Sequence, residues 1–273
     1  MKIFSRYNHK ALCRPVIILF ILAALSGCAT GGVPATAASA GSFADILESY
    51  APTGEPLKIR ELPVSSPGIA SAADVYIIVH PGYGVFFQNL TREKHEASKY
   101  LLLNKQFENE ASFISSRAAS GATIILVLPR DFETEGLSPP SFISYLNKTA
   151  GGPSVFYMTS KSSGSGNIAT DDMINLVAFL QSVKAERIMI GGGYIGRCQG
   201  EFYSELTTYL GAKNAYIVPE ISTISPADIS DQDASAAFEA MRHQNYTLVR
   251  RFIGKKAGNA TANILSIRPP SNN

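Results

Sequence analysis

Apolar residues follow two rhythms along this chain. Short continuous runs lie at Val75 to Val79 (VYIIV), Thr123 to Leu128 (TIILVL), Ser154 to Met158 (SVFYM), Arg187 to Ile190 (RIMI) and Ala215 to Pro219 (AYIVP). They lack polar alternation, which predicts strands buried on both faces of a parallel sheet. Between them the apolar spacing changes to three or four. Leu103, Phe107, Ala111, Ile114 and Ala118 predict one face of a helix over 93–119, closed by Gly121. Met173, Leu176, Val177, Leu180 and Val183 predict another, capped by Thr170, with Asp171 and Asp172 in its first turn. A third helix runs to Leu210 with Gly211 after it, and a last one covers 236–252. A short helix over 43–50 opens a Pro- and Ser-rich lead-in that ends near 73. Alternating strands and helices predict an α/β fold. Its form is a doubly wound, mostly parallel sheet of five or six strands with helices on both faces. The pattern places it in a single domain over 74–253, followed by a loose tail over 254–273. Right-handed crossovers gather the strand C-terminal ends on one edge. His80, Pro129 to Asp131, Thr159 to Lys161, Gly191 to Cys198 and Glu220 all fall there.

The first residues need a separate reading. Lys2, Arg6, Lys10 and Arg14, with no acid among them, precede an apolar run from Val16 to Leu25. That run is short for a bilayer span. It ends in Leu25–Cys28 (LSGC), which resembles the bacterial lipoprotein signal. The resemblance implies removal of residues 1–27 and acyl chains on Cys28. With Ala29 next, it implies an outer-membrane address facing the periplasm. Residues 28–42 are small and read as a flexible tether. The chain holds 24 basic and 22 acidic residues; loss of four basic ones with the signal leaves a net charge of −2. The partner expected is therefore the membrane, through lipid, and not nucleic acid. Of three cysteines, Cys13 leaves and Cys28 is lipidated, so Cys198 is the free thiol. His9, His80, His95 and His243 are scattered, and no metal is expected. Oligomeric state is not legible.

The chemistry concentrates in Ile190 to Leu206, IGGGYIGRCQGEFYSEL. Gly191, Gly193 and Gly196 spell G-x-G-x-x-G, and Glu220 lies 24 residues after Gly196. The stretch resembles the NAD-binding segment of pyridine-nucleotide-disulfide oxidoreductases, which implies a dinucleotide at the helix N-terminus. An earlier flavin-binding glycine motif is missing, and a protein outside the cytoplasm has little NAD(P)H to use. This is the minor alternative, and the leading reading needs no cofactor.

The order and spacing of residues 74–225 resemble the isochorismatase-like hydrolase family, which includes nicotinamidases. That family has an Asp ending its first strand, a Lys after a middle strand, and a nucleophilic Cys opening a helix after a glycine turn. Here Lys161 follows SVFYMTS, Cys198 comes 37 residues later, and YLGAKNAYIVPEISTIS resembles the closing helix, strand and acid. The resemblance implies hydrolysis of a small amide or ester. Cys198 would be the nucleophile, with Lys161 lowering its pKa. The turn of Gly193, Tyr194, Gly196 and Arg197 would supply N–H groups for an oxyanion. The chain departs from the family at the Asp position, which holds His80. Either His80 serves as base in a rewired Cys–His site, or the fold has lost its activity and binds or assembles instead. Ser160 to Asn167 (SKSSGSGN) reads as a loop over the site. Arg197 is placed to bind a carboxylate or to face solvent, and Asp131 reads as a loop acid. Arg250, Arg251, Lys255 and Lys256 form a basic cluster, either a solvated helix end or a contact for anionic lipid.

Overall fold

The computed structural model describes residues 43–64, 71–88, 97–256 and 262–267. The signal, Cys28, the tether and residues 93–96 of the first long helix lie outside them. Among the described residues there are seven strands: β1 (Arg60–Glu61), β2 (Asp74–Val79), β3 (Thr123–Leu128), β4 (Val155–Ser162), β5 (Ser165–Ile168), β6 (Arg187–Gly192) and β7 (Ala215–Ile217). The sheet order is β1-β4-β3-β2-β6-β7, and every pairing along it is parallel. β5 folds back antiparallel on β4. Two short helices, α1 (Phe43–Ser49) and α2 (Tyr83–Phe86), precede the longer ones.

The continuous apolar runs form central strands because both faces are covered. Val75, Ile77 and Val79 pack into one core cluster, and Tyr76 and Ile78 into the other. β3 repeats this, with Ile125 and Val127 on one side and Ile124, Leu126 and Leu128 on the other. Each such aliphatic side chain contributes roughly 1.5–3 kcal/mol on burial. One face carries α5 (Thr170–Ser182) through Met173, Leu176 and Phe179, and α6 (Cys198–Leu210) through Phe202 and Leu206. α7 (Asp231–Arg242) and α8 (Thr247–Lys256) extend that cluster with Met241, Val249 and Ile253. On the other face lie α3 (Ala97–Ala119), through Phe107, Ala111 and Ile114, and α4 (Pro139–Thr149), through Phe142, Tyr145 and Leu146. The fold is thus α/β, a parallel sheet flanked by helices in one domain, as the hydrophobic pattern predicts.

Several details differ from expectation. The sheet gains β1 and β5, which are too short or too polar to stand out by apolar pattern. Residues 160–167 are the β4–β5 hairpin, not a loop. The last helix is two helices, interrupted where Gln244 takes φ 54. Thr170 is the first residue of α5; Ala169 is its cap and makes no side-chain bond to the helix. β7 stops at Ile217, and Ile264, within the stretch read as a tail, bridges to it.

β2 is the pivot of the sheet. The chain adds β3 and β4 on one side of it, then β6 and β7 on the other. The crevice between the C-terminal ends of β2 and β6 is therefore the topological switch point, where ligands of such sheets sit. His80 follows β2 there, and Gly193 follows β6.

Candidate active site at the sheet edge

After β6 the backbone turns through Gly192 (φ 72) and Gly193 (φ 55). Glycine is needed at both. A Cβ on Gly192 would lie 2.4 Å from the Val79 carbonyl oxygen, and one on Gly193 would lie 2.9 Å from Cys198 Sγ. The turn is tied to the chain after β7: Ile195 N–H donates to Thr223 O at 2.9 Å, and Thr223 N–H to Gly193 O at 3.2 Å. Gln199 Nε2 donates to Gly192 O and to Ser222 Oγ, both at 2.8 Å. Cys198 opens α6, and its Sγ accepts the Tyr194 N–H at 3.2 Å. A backbone donor suited to an oxyanion thus holds the sulfur itself. Cys198 is only 3% exposed. Burial pushes its thiol up to about 11, against the N–H groups of Tyr194 and Gln199, which pull it down.

His80 follows β2 at φ 46, a left-handed conformation that few non-glycine residues adopt. It is fully buried. Ser160 Oγ donates its one proton to Ser162 O at 2.7 Å. It must then accept at its contact with His80 Nε2, at 3.0 Å, so the network assigns the proton to Nε2. Nδ1 is left as a bare acceptor, buried and without a partner. An unpaired buried polar group costs about 1–3 kcal/mol. Burial also lowers the His80 pKa to about 4, so the ring is neutral at pH 7. Its face stacks on Tyr83, centroid to centroid 5.3 Å at 25°.

The other expected residues are engaged by partners other than the thiol. Side chains alternate along β4, so Ser160 shares the buried side with Met158, while Lys161 projects outward. The half-exposed Lys161 ammonium meets Glu205 at 3.8 Å. Arg197 binds a carboxylate of its own chain, Asp228, through Nε at 2.9 Å and a terminal nitrogen at 3.1 Å. Lys256 reaches the same carboxylate at 3.2 Å. Gly196 packs against the Lys256 side chain. The edge therefore gathers Cys198, Gly193, Tyr194 and His80, and leaves Lys161, Gly196 and Arg197 outside.

Two residues at this edge were not anticipated, Tyr83 and Glu110, and Ser160, expected at the edge within Thr159 to Lys161, gains a partner in His80. Glu110 lies on the buried face of α3, where its carboxyl accepts Gly82 N–H at 2.7 Å. Burial raises its pKa to about 8. A carboxylate next to Ala111 on the apolar stripe was the available signal. The cavity between Tyr83, Glu110, Gly193 and Tyr194 measures about 10 Å³, room for about one water. Across α6 lies a separate groove of about 620 Å³, with Ile195, Tyr203 and Ile253 in its floor and Lys161, Glu205 and Lys256 at its rim. Among the described residues, no group of three or more His, Cys, Asp or Glu side chains could hold a metal ion.

No protein-family model matches this chain. No curated protein matches it. Solved structures do align with it. The nicotinamidase of Staphylococcus aureus shares 14% identity over 62% of this chain and 92% of that one, at a TM-score of 0.38. The pyrazinamidase/nicotinamidase of Streptococcus mutans shares 12% over 70% and 99%, at 0.40. The N-carbamoylsarcosine amidase of Thermoplasma acidophilum shares 14% over 61% and 92%, at 0.36. Such values assign no activity, substrate or residue role to this chain. The chain is an α/β protein whose sheet edge carries a buried cysteine beside a cavity with room for about one water.

Proposed function

We propose that this chain is a lipid-anchored protein of the bacterial envelope, held through Cys28 and facing the periplasm. In this reading its α/β domain keeps the layout of an isochorismatase-like hydrolase without running the reaction, and acts as a binding or assembly module. The state of Cys198 carries the reading. A nucleophilic thiol must ionise near working pH and touch a base. Cys198 is buried, its Sγ is held by the Tyr194 N–H at 3.2 Å, and burial pushes its pKa up to about 11, well above working pH. His80 Nε2–H donates a hydrogen bond to Ser160 Oγ, and Lys161 is drawn to Glu205. Binding is assigned to the outer groove beside α6, where an apolar floor and a rim of both charges suit an amphipathic ligand.

A second reading keeps one specific support. The bare Nδ1 of His80 and the Tyr194 N–H on the sulfur are parts that a Cys–His hydrolase of small amides or esters would use.

The test follows iodoacetamide modification of Cys198 across pH, together with turnover of nicotinamide and simple esters, with Cys198→Ala as blank. The binding reading expects labelling only as fast as the protein opens, and no turnover above the blank. A labelling midpoint below about pH 7.5, or Cys198-dependent ammonia release, overturns it. Loss of palmitate incorporation in Cys28→Ala tests the anchor.

A further inference from the structure

We propose that Tyr83 is a plug: the turn His80 to Tyr83 seats its ring in the edge cavity beside Gly193 and Tyr194, and the way to Cys198 opens when that turn swings outward. The inference rests on the closed-site reading above and names what closes the site.

The packing around Tyr83 supports it first. Tyr83 is the middle of a three-ring stack, with His80 on one face at 5.3 Å and Phe87 on the other at 5.4 Å, nearly parallel at 5°. Tyr194, whose N–H holds the Cys198 sulfur, meets the Tyr83 ring edge-on at 5.9 Å. Tyr83 also lines one small cavity with Gly193, whose Cβ, if present, would lie 2.9 Å from Cys198 Sγ. The ring therefore sits among the groups that surround the thiol, and the space left beside it fits about one water.

The turn that carries the ring is built like a hinge under load. His80 (φ 46) is left-handed, a conformation that a non-glycine residue keeps only where its surroundings hold it, and Gly82 (φ 63), free to take that region, lets the turn pivot beside it. The holder is Glu110, which accepts the Gly82 N–H at 2.7 Å from within α3.

The groups behind the plug lack what an open state would supply. His80 Nδ1 is a buried lone pair without a partner, and the ring that carries it is covered on one face by Tyr83. Withdrawing the plug uncovers that ring. The occupant that fits the vacated space is a small neutral molecule whose N–H or O–H donates to Nδ1.

The experiment uses the full-length protein in detergent, with Tyr83→Ala and Phe87→Ala. Iodoacetamide modification is read at the Cys198 peptide at pH 8, beside thermal unfolding of each variant. Tyr83→Ala is expected to label about tenfold or more faster than wild type while still unfolding cooperatively. Phe87→Ala, which removes the outer ring of the stack and leaves Tyr83, is expected to label about threefold faster. A cooperatively folded Tyr83→Ala that labels at the wild-type rate overturns the plug. Should that variant not fold, an unchanged rate in Phe87→Ala overturns it. Amide turnover by Tyr83→Ala would leave the plug standing and overturn the non-catalytic reading. A labelled but inert Tyr83→Ala supports both.

Discussion

His80 donates its Nε2 proton to Ser160 Oγ at 3.0 Å, and this bond decides what the sheet edge can do. It fixes the tautomer, commits the ring to β4 and leaves Nδ1 without a partner. Ser160→Ala would strand a second ring nitrogen in the core. We expect a loss of about 1–3 kcal/mol in unfolding free energy by urea denaturation. A variant as stable as wild type would remove the assigned tautomer.

Buried His80 and Glu110 give opposed pH responses. His80 falls from 6.5 to about 4 on folding, so stability is lost as pH drops through that window. Glu110 rises from 4.5 to about 8, so stability is lost as pH climbs through that one. Each slope is at most about 1.4 kcal/mol per pH unit. Between pH 4.5 and 6.5 the two oppose each other and stability is nearly flat. Above 6.5 only the Glu110 slope remains, and stability falls by about 2 kcal/mol by pH 8. Glu110→Gln keeps an acceptor for Gly82 N–H and should abolish that decline. The same decline in the variant would assign it to another group.

Lys161 offers a contrast between sequence position and place in space. Its ammonium is half-exposed and 3.8 Å from Glu205. Lys161→Ala should leave the pH profile of Cys198 modification unchanged and alter stability by less than about 1 kcal/mol. A shift of that profile in the variant would return Lys161 to the thiol's environment.

Two glycines separate contact from composition. A Cβ on Gly166 would fall 1.7 Å from the Cys198 carbonyl oxygen, because β5 crosses the start of α6 there. Backbone cannot yield that distance, so Gly166→Ala should cost more than about 4 kcal/mol or prevent folding. A Cβ on Gly200, inside α6, meets nothing within 4 Å. Gly200→Ala should stabilise by roughly 0.5–1 kcal/mol, seen as a raised Tm.

The hydrophobic rhythm alone determined the α/β class, the five main strands and the end of α6 at Gly211. Those features depend on local periodicity and on whether both faces of a run are apolar, properties that a sequence carries directly. The same rhythm placed His80 and Cys198 at one sheet edge, because parallel strands joined by right-handed crossovers share an end. The partners of these two residues were decided by tertiary structure. Strand parity turned Lys161 outward and Ser160 inward, a one-residue distinction set by the register of β4 on β3. β5 had too few apolar residues to announce itself, although it crosses the start of α6. Glu110 and Tyr83 come from segments distant in sequence from Cys198, and only packing brought them together. Burial, which raises the thiol and lowers the imidazole, is a property of the assembled core and has no local sequence signature.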